Sequence, residues 1–197
     1  MSVIDPTPFW YLRHGETDWN RRGLSQGRTD IPLNATGLEQ AEQAGRTLIE
    51  AVQGGPKIDR VISSPLVRAA RTAEIAVEAL AASGVRPSLG FDADLQEVCF
   101  GEQEGQPMGE WYDDWIAGHY TPPGAEPFAL LRDRAVAGVN RALTGQGTVL
   151  IVAHGALFRA LRSAMSLEPN VRLPNAVPLK LDPPSVGGTP WSLNQLG

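Results

Sequence analysis

The stretch Thr148-Val149-Leu150-Ile151-Val152-Ala153-His154-Gly155 decides the fold class, because six residues without a charge run almost directly into a helical pattern from Ala156 to about Met165. A strand this apolar does not suit an exposed sheet face and is typical of a parallel sheet, whose two faces are both covered. The sequence therefore predicts an α/β fold with this strand at the centre of the sheet.

The same order of strand and then helix occurs twice earlier in the chain. An apolar run at Phe9–Leu12 precedes an amphipathic helix over about 36–53, and Ile58–Ile62 precedes a second one. For the second helix, we expect Ser64 to be the N-cap and Pro65 to lie in the first turn. Alternating strands and helices are typical of crossover units. We therefore expect a three-layer α/β/α arrangement with a mostly parallel central sheet.

The pattern weakens over residues 91–131, which are rich in Gly, Pro and Trp and which we interpret as a lid or insertion. A helix follows over about 127–143. The last thirty residues are rich in proline, and they suggest a hairpin on a sheet edge formed by Val177–Leu181 and the segment around Trp191. Without a repeat or a linker, residues 1–197 are expected to form a single domain.

Composition excludes several functional classes. A net charge of -5 gives the chain no general attraction to nucleic acid or to an anionic membrane. One cysteine, Cys99, excludes an internal disulfide framework, and with three histidines it disfavours a zinc cluster. The sequence has neither a secretory signal pattern nor about 18 consecutive apolar residues. We therefore expect a cytoplasmic protein.

Chemically versatile side chains follow the predicted strands. Arg13 and His14 follow the first strand, Arg68 lies just beyond the second, His154 follows the central one, and Glu97 lies where the 91–131 segment begins. Ligands of open α/β sheets bind beyond the carboxyl ends of the strands. The sequence therefore predicts that two imidazoles, two guanidiniums and a carboxylate meet at one edge of the sheet.

This set of groups is sufficient for phosphoryl transfer through a phosphohistidine. A neutral imidazole can attack phosphorus, while Arg13, Arg68 and a protonated second histidine stabilise the phosphoryl oxygens. Gly15 and Gly155 would let the backbone approach the anion. A carboxylic acid at Glu97 could protonate the departing alkoxide and, as a carboxylate, then deprotonate water. No metal or cofactor is required.

Four separated motifs resemble those of the histidine phosphatase superfamily, also called phosphoglycerate-mutase-like. Their order and spacing match, and the resemblance covers most of the chain. The motifs are Arg13-His14-Gly15-Glu16-Thr17-Asp18-Trp19-Asn20, the run Gln26–Leu33 with Thr36–Ala41, Ser63-Ser64-Pro65-Leu66-Val67-Arg68-Ala69, and Val152-Ala153-His154-Gly155.

The resemblance implies a phosphoglycerate-mutase-like fold and assigns roles to individual residues. His14 would be the phosphorylated nucleophile, and Glu97 would be the proton donor. Arg13, Arg68 and His154 would complete the phosphate pocket. The phosphate-binding residues predicted in this way are Arg13, Asn20, Gln26, Gly27, Arg68 and Gly155.

Three of these residues, His14, Glu97 and Arg68, also have a structural interpretation that involves no catalysis. His14 could be a histidine satisfied by its neighbours in a turn, and Glu97 an ordinary solvated carboxylate. Arg68 could be a surface arginine paired with Glu74, although its place at the positive end of a helix favours an anion site.

Other notable side chains are expected to be structural. We expect Cys99 to be buried as a small apolar side chain and His119 to be a surface or packing residue. Most tryptophans should belong to the core, although Trp111 and Trp115 could line a substrate mouth.

The family resemblance leaves the reaction open between a phosphatase and a cofactor-dependent phosphoglycerate mutase. No Lys or Arg lies between Arg86 and Arg132, and this stretch contains several acids, among them Glu97, Glu102, Glu104, Glu110, Asp113, Asp114 and Glu126. We expect this segment to repel multiply anionic substrates.

We therefore predict a metal-independent phosphatase. It would act on small phosphate monoesters whose remaining portion is neutral, apolar or weakly cationic. The alternatives are the mutase and a non-catalytic module that binds phospholigands. The predicted partner is a small phosphate ester, with no nucleic acid and no membrane. The sequence does not indicate an oligomeric state.

Overall fold

The computed structural model describes residues 3–185 and 190–196 and contains a six-stranded mixed sheet. The strands are β1 (Phe9–Arg13), β2 (Ile58–Ser63), β3 (Ser88–Phe91), β4 (Thr148–Ala153), β5 (Leu179–Asp182) and β6 (Ser192–Gln195).

The sheet has the order β3-β2-β4-β1-β5-β6, so β4 lies in its interior, as the sequence predicts. The four strands from β3 to β1 are parallel to their neighbours, whereas β5 and β6 run antiparallel at one edge. The predicted C-terminal hairpin is therefore confirmed. Strand β3 was not predicted from the sequence, because its short half-exposed stretch lacks the apolar run that marks the central strands.

The helices cover both faces of the sheet. They are α1 (Asp18–Arg21), α2 (Ala35–Ala51), α3 (Val67–Ala82), α4 (Trp111–Ala117), α5 (Phe128–Leu143) and α6 (Gly155–Ala164). On one face, Leu150 and Val152 of β4 pack in a core that includes residues of α2 and α3. On the other face, Ile151 lies in a core with residues of α5 and α6. This alternation along β4 confirms the three-layer α/β/α fold.

Helix α3 begins two residues later than the sequence predicts. Its N-cap is Leu66, which makes no side-chain capping hydrogen bond. The Ser64 hydroxyl instead lies 2.7 Å from the side chain of His154. Ser64 is therefore part of a loop beside a histidine and not the cap of the helix.

The segment 91–131 forms its own small core against α6. It contains two 3-10 turns, Ala93–Leu95 and Gly101–Gln103, followed by α4. Phe100 and Trp115 pack together there, with ring centroids 5.5 Å apart. Trp115 is fully buried and therefore does not line a substrate mouth.

Two expectations for neighbouring residues are also wrong. Trp111 packs edge-on against Phe100 and does not line the cavities described below. Cys99 is partly exposed, with its sulfur 3.5 Å from the carbonyl oxygen of Gly124. In the described part of the chain, none of the helices is both long and apolar enough to cross a bilayer.

Replacing a leucine of the central strand tests this packing. We expect Leu150→Ala to lower the free energy of unfolding by about 3 kcal/mol, because it leaves a cavity between β4 and the helices on one face. The matched control is Leu130→Ala, since Leu130 lies on α5 with 58% of its surface exposed and should cost less than about 0.5 kcal/mol. Urea unfolding measures both, and equal losses would contradict the described core.

Candidate active site

The register of β1 and β4 places the two predicted histidines at one edge of the sheet. Arg13 lies opposite Ala153 in this parallel pair. The N–H of His14 donates to the carbonyl of Ala153 at 3.0 Å, which extends the pairing by one residue. The imidazole centroids of His14 and His154 are 5.2 Å apart. Both rings are therefore close enough to contact the oxygens of one phosphoryl group.

A cavity of about 60 Å³, here called the inner cavity, lies in front of this edge. The inner cavity is therefore large enough for a group of a few atoms. The predicted site residues that line it are His14, Glu97, Arg13, Asn20, Gln26, Gly27, Arg68 and Gly155. His154 is not among the lining residues, because its side chain is completely buried beside them.

His14 has one ring nitrogen fixed and the other free to react. Its Nδ1 lies 2.7 Å from the carbonyl oxygen of Gly15, and a carbonyl only accepts, so Nδ1 carries the hydrogen. Burial and the nearby guanidiniums of Arg68 and Arg13 hold the pKa of His14 well below its ordinary value. The ring is therefore neutral near pH 7, and its Nε2 has a lone pair.

Two arginines bring buried positive charge to the inner cavity. Arg68 is fully buried, and its Nη2 and Nη1 donate to the carbonyls of Gly27 at 2.7 Å and Thr29 at 3.0 Å. Arg13 donates through Nη1 to the carbonyl of Leu173 at 2.6 Å. Within the described residues, the buried Nε of each arginine has no partner. The plainer interpretation of Arg68, a surface pair with Glu74, is therefore wrong; Arg71 occupies that position.

Glu104 holds the loop on which Arg68 rests. Its carboxylate accepts from the backbone N–H groups of Arg28 at 2.9 Å and Thr29 at 3.0 Å. It also accepts from the N–H of Phe100 at 3.1 Å. The carbonyls that accept from Arg68 belong to this same loop. Glu104 therefore positions Arg68 indirectly, a role that the sequence analysis did not identify.

Glu97 is buried at the amino end of α6 and is not an ordinary solvated carboxylate. Its Oε2 accepts from the N–H of Ala156 at 3.0 Å, and its Oε1 accepts from the N–H groups of Leu157 at 2.9 Å and Val98 at 3.1 Å. Helix amino ends favour negative charge. These donors fix the orientation of the carboxylate beside the inner cavity.

His154 is held from two sides. The hydroxyl of Tyr11 accepts from the backbone N–H of His154 at 3.1 Å and donates to its carbonyl at 2.8 Å. Its Nε2 lies 2.7 Å from Ser64 Oγ, and its Nδ1 is buried without a partner in the described residues. Burial first, and then the charge of Arg68, lowers the pKa of His154 well below its ordinary value. This direction favours a neutral ring, whereas the expectation from the sequence is a protonated donor.

Asn20 and Gln26 have their amide oxygens occupied. Asn20 Oδ1 accepts from the N–H of Thr17 at 3.2 Å and from Asn175 Nδ2 at 3.3 Å. Gln26 Oε1 accepts from Thr17 Oγ1 at 2.8 Å. Each side chain therefore has its amide nitrogen left to donate to a ligand in the inner cavity.

The two glycines expected to admit an anion have different roles. A Cβ at Gly15 would overlap the carbonyl oxygen of Gly37, so Gly15 allows the loop after β1 to pack against the start of α2. A Cβ at Gly155 would lie 3.3 Å from the Nε of Arg13, beside the inner cavity. Only Gly155 keeps space open next to the guanidinium, and Gly15 serves packing.

A larger cavity of about 530 Å³, here called the outer cavity, adjoins the inner one. It is lined by Arg13, Asn20, Arg21, Gly23, Leu24, Met108, Arg159 and Arg172, five of which also line the inner cavity. Arg159 was not predicted from the sequence to be a site residue. It lies four residues after Gly155 on α6, on the same helix face, so helical spacing was a signal that could have found it.

The charged groups of the inner cavity suit an anion. Three arginines and one glutamate line it, and guanidinium groups bind the oxygens of phosphate through paired hydrogen bonds. Across residues 3–185 and 190–196, no three His, Cys, Asp or Glu side chains lie close enough together to hold a metal ion.

Comparison with known proteins assigns the chain to a family. The model of branch 1 of the histidine phosphatase superfamily matches residues 9–181. The chain is 41% identical over 158 residues to the uncharacterized phosphatase PhoE of Bacillus subtilis, covering 79% of this chain and 75% of that one. It is 32% identical over 203 residues to the probable phosphoglycerate mutase GpmB of Proteus mirabilis, covering 94% and 87%.

Solved structures give the same result for the fold. A mycobacterial glucosyl-3-phosphoglycerate phosphatase in complex with VO3 superimposes with a TM-score of 0.75 at 25% identity, covering 95% of this chain and 97% of that one. With the family model matching most of the sequence, the chain belongs to the histidine phosphatase superfamily, in its branch 1.

Proposed function

We propose that this protein is a phosphatase that hydrolyses small phosphate monoesters through a phosphohistidine on Nε2 of His14. One observation carries the proposal. The hydrogen bond from Nδ1 of His14 to the Gly15 carbonyl leaves the lone pair on Nε2, in a cavity lined by Arg13 and Arg68. A neutral imidazole beside paired guanidiniums is suited to attack a phosphoryl group.

In the first half-reaction, Nε2 of His14 attacks phosphorus, and the P–O bond to the leaving group breaks. Glu97, entering the step as a carboxylic acid, gives its proton to the departing oxygen, and the alcohol leaves. Arg13 and Arg68 donate to the phosphoryl oxygens as charge shifts in the transition state. Asn20 and Gln26 add their amide nitrogens as further donors.

His154 donates to the phosphoryl group as a neutral ring in this mechanism. Ser64 Oγ accepts from the N–H of Leu66 at 3.3 Å, and its own hydrogen is free to donate to Nε2 of His154. Nδ1 of His154 then carries the other ring hydrogen. This N–H is buried without a partner among the described residues, and in the proposed mechanism the bound phosphoryl group supplies its acceptor.

In the second half-reaction, water attacks the phosphorus of the phosphohistidine. Glu97, now a carboxylate, takes the proton of the water as the P–N bond breaks, and the electron pair of that bond returns to Nε2 of His14. Inorganic phosphate leaves, and both residues return to their starting protonation states. Neither of these two steps requires a metal ion.

A phosphoglycerate mutase is the second candidate and would use the same phosphohistidine. The observation that favours it is the set of arginines in the outer cavity, which could retain an anionic intermediate. We place it second because the outer cavity is much larger than the phosphoryl group and gives water access to the phosphohistidine. Formation of 2-phosphoglycerate from 3-phosphoglycerate faster than release of phosphate would select the mutase.

Removing the proposed nucleophile tests the chemistry. We expect His14→Ala to lower kcat for hydrolysis of a phosphate monoester by about 10⁴-fold or more, because no other group replaces Nε2. His119→Ala is the matched control, since the His119 side chain is 77% exposed and should leave kcat unchanged. Circular dichroism should show both variants folded. Full turnover in folded His14→Ala would refute the mechanism.

The protonation state of the two buried histidines is a separate prediction. Because burial and the neighbouring arginines lower the pKa of both His14 and His154, each ring should remain neutral at pH 6.5, where an ordinary histidine is half protonated, and charge only at lower pH. Nitrogen-15 NMR of histidine-labelled protein measures this, and it should show Nδ1 of His14 as the protonated nitrogen. Titration of either ring with a midpoint at or above 6.5 would be inconsistent with the proposed nucleophile.

The role of Glu97 is tested by varying the leaving group. We expect Glu97→Gln to slow hydrolysis of alkyl phosphates by about 10²-fold or more, and to slow 4-nitrophenyl phosphate far less, because nitrophenolate leaves without a proton. Glu102→Gln, an exposed acid of the same segment, is the control and should change neither rate. Equal slowing of both esters by Glu97→Gln would argue against a proton-donor role.

A further inference from the structure

The loop that precedes β5 lies beside the catalytic end of β1. Because β5 runs antiparallel to β1, the residues before β5 are neighbours of those that follow β1. The backbone N–H of Ala176 donates to the carbonyl of Arg13 at 2.9 Å. The Arg13 side chain in turn donates to the carbonyl of Leu173. Residues 173–176, here called the 173–176 loop, are therefore attached to the phosphate site.

This loop contains an unfavourable backbone conformation. The φ angle of Ala176 is 50°, which lies in the left-handed region. A residue with a Cβ is disfavoured there, whereas glycine adopts the conformation readily. Such conformations persist where the surrounding contacts hold them. The bond from Ala176 to Arg13 is one such contact, so the attachment of the loop is maintained against a local conformational preference.

The side chain of Asn175 connects two residues of the site. Its Nδ2 donates to the carbonyl of His14 at 2.9 Å and to Oδ1 of Asn20 at 3.3 Å. A carbonyl oxygen only accepts, so the amide nitrogen of Asn175, and not its oxygen, faces His14. Asn175 lines neither the inner nor the outer cavity. It can therefore act on a bound substrate only through other residues.

The bond to His14 fixes the peptide unit that follows the nucleophile. The oxygen of this unit accepts from Asn175, and its N–H, which belongs to Gly15, donates to the buried hydroxyl of Thr72 at 3.1 Å. The next carbonyl, that of Gly15, accepts from Nδ1 of His14. A rotation of this peptide unit would therefore tilt the imidazole and displace its Nε2 from the direction of attack.

The bond to Asn20 fixes which end of its amide is left for the ligand. Oδ1 of Asn20 accepts from the N–H of Thr17 at 3.2 Å and from Asn175. With the oxygen held by these donors, the NH₂ group of Asn20 is left to donate into the inner cavity, which Asn20 lines. A rotated amide would place an acceptor oxygen against the phosphoryl oxygens, which also accept.

We propose that Asn175 is a positioning residue for phosphoryl transfer, which orients the nucleophile His14 and the donor Asn20 without contacting the substrate. This inference rests on the proposed phosphatase function and adds a residue to its machinery. Arg13 and Arg68 are held by their own bonds to backbone carbonyls. Removing the side chain of Asn175 should therefore impair the chemical step more than the binding of phosphate.

Two variants of Asn175 test the proposal. We expect Asn175→Ala to lower kcat for a phosphate monoester about tenfold and to change KM less than about threefold, because the reacting groups are misplaced and not removed. Asn175→Asp keeps the size of the side chain but places an oxygen against two acceptors, so it should slow turnover at least as much. Circular dichroism should show both variants folded.

Asn170→Ala is the matched control for these variants. Asn170 is an exposed residue of the same connection between α6 and β5, and its amide contacts Asp113 and no site residue. Its replacement should leave kcat unchanged. A wild-type kcat in Asn175→Asp, or an equal loss in Asn170→Ala, would overturn the positioning role.

A double-mutant cycle separates positioning from a general structural effect. Because Asn175 acts partly through Asn20, the Asn175→Ala change should slow Asn20→Ala less than it slows the wild type, with the two factors differing about threefold. An equal factor in both backgrounds would show that the two side chains act independently and would overturn the proposal.

Binding of orthovanadate distinguishes this inference from the function on which it rests. Vanadate adopts the five-coordinate geometry of phosphoryl transfer, so calorimetry should show about tenfold weaker binding to Asn175→Ala, in parallel with kcat. Equal vanadate affinity and equal kcat in the variant and the wild type would overturn the positioning role and leave the phosphatase intact. Weaker vanadate binding by the variant, with no hydrolysis of phosphate monoesters by the wild type, would support the positioning role and contradict the phosphatase.

Discussion

The parallel pairing of β1 with β4 is the constraint on which the candidate site depends. The pairing continues for one residue past the end of β1, because the His14 N–H donates to the Ala153 carbonyl. This hydrogen bond brings His14 beside His154. Because β2 lies on the other side of β4, the loop from Ser64 reaches the same edge. The site is thus assembled by sheet register, and the helices that follow supply Arg68 and the N–H groups that hold Glu97.

Buried positive charge dominates the electrostatics at this edge of the sheet. Arg68 is fully buried on two backbone carbonyls, which are neutral acceptors and leave its charge to act on the inner cavity. The same charge, together with burial, keeps His14 and His154 neutral. A neutral nucleophile beside fixed cations is the arrangement that attack on a phosphate dianion needs. In the proposed mechanism, binding of the anion and the neutral state of the imidazole therefore have one common cause.

Much of this arrangement could be predicted from the sequence. The apolar run of β4 predicts that this strand lies in the interior of the sheet. The polar residues that follow the strands predict which side chains line the inner cavity. Long-range contacts could not be predicted. Ser64 has the pattern of a helix cap but its hydroxyl lies beside His154. Glu104 of the 91–131 segment contacts the backbone of Arg28, which is distant in the chain. Arg172 reaches the outer cavity from a loop with no periodic pattern.

Trapping the phosphoryl group during turnover tests the central claim most directly. Enzyme mixed with a phosphate monoester is quenched rapidly at alkaline pH, digested and mapped by mass spectrometry, with phosphorus NMR to identify the bonded atom. We expect a phosphoryl group on Nε2 of His14 in the wild type and no phosphoryl group in His14→Ala. A phosphoryl group on any other side chain, or turnover that passes through no covalent intermediate, would contradict it.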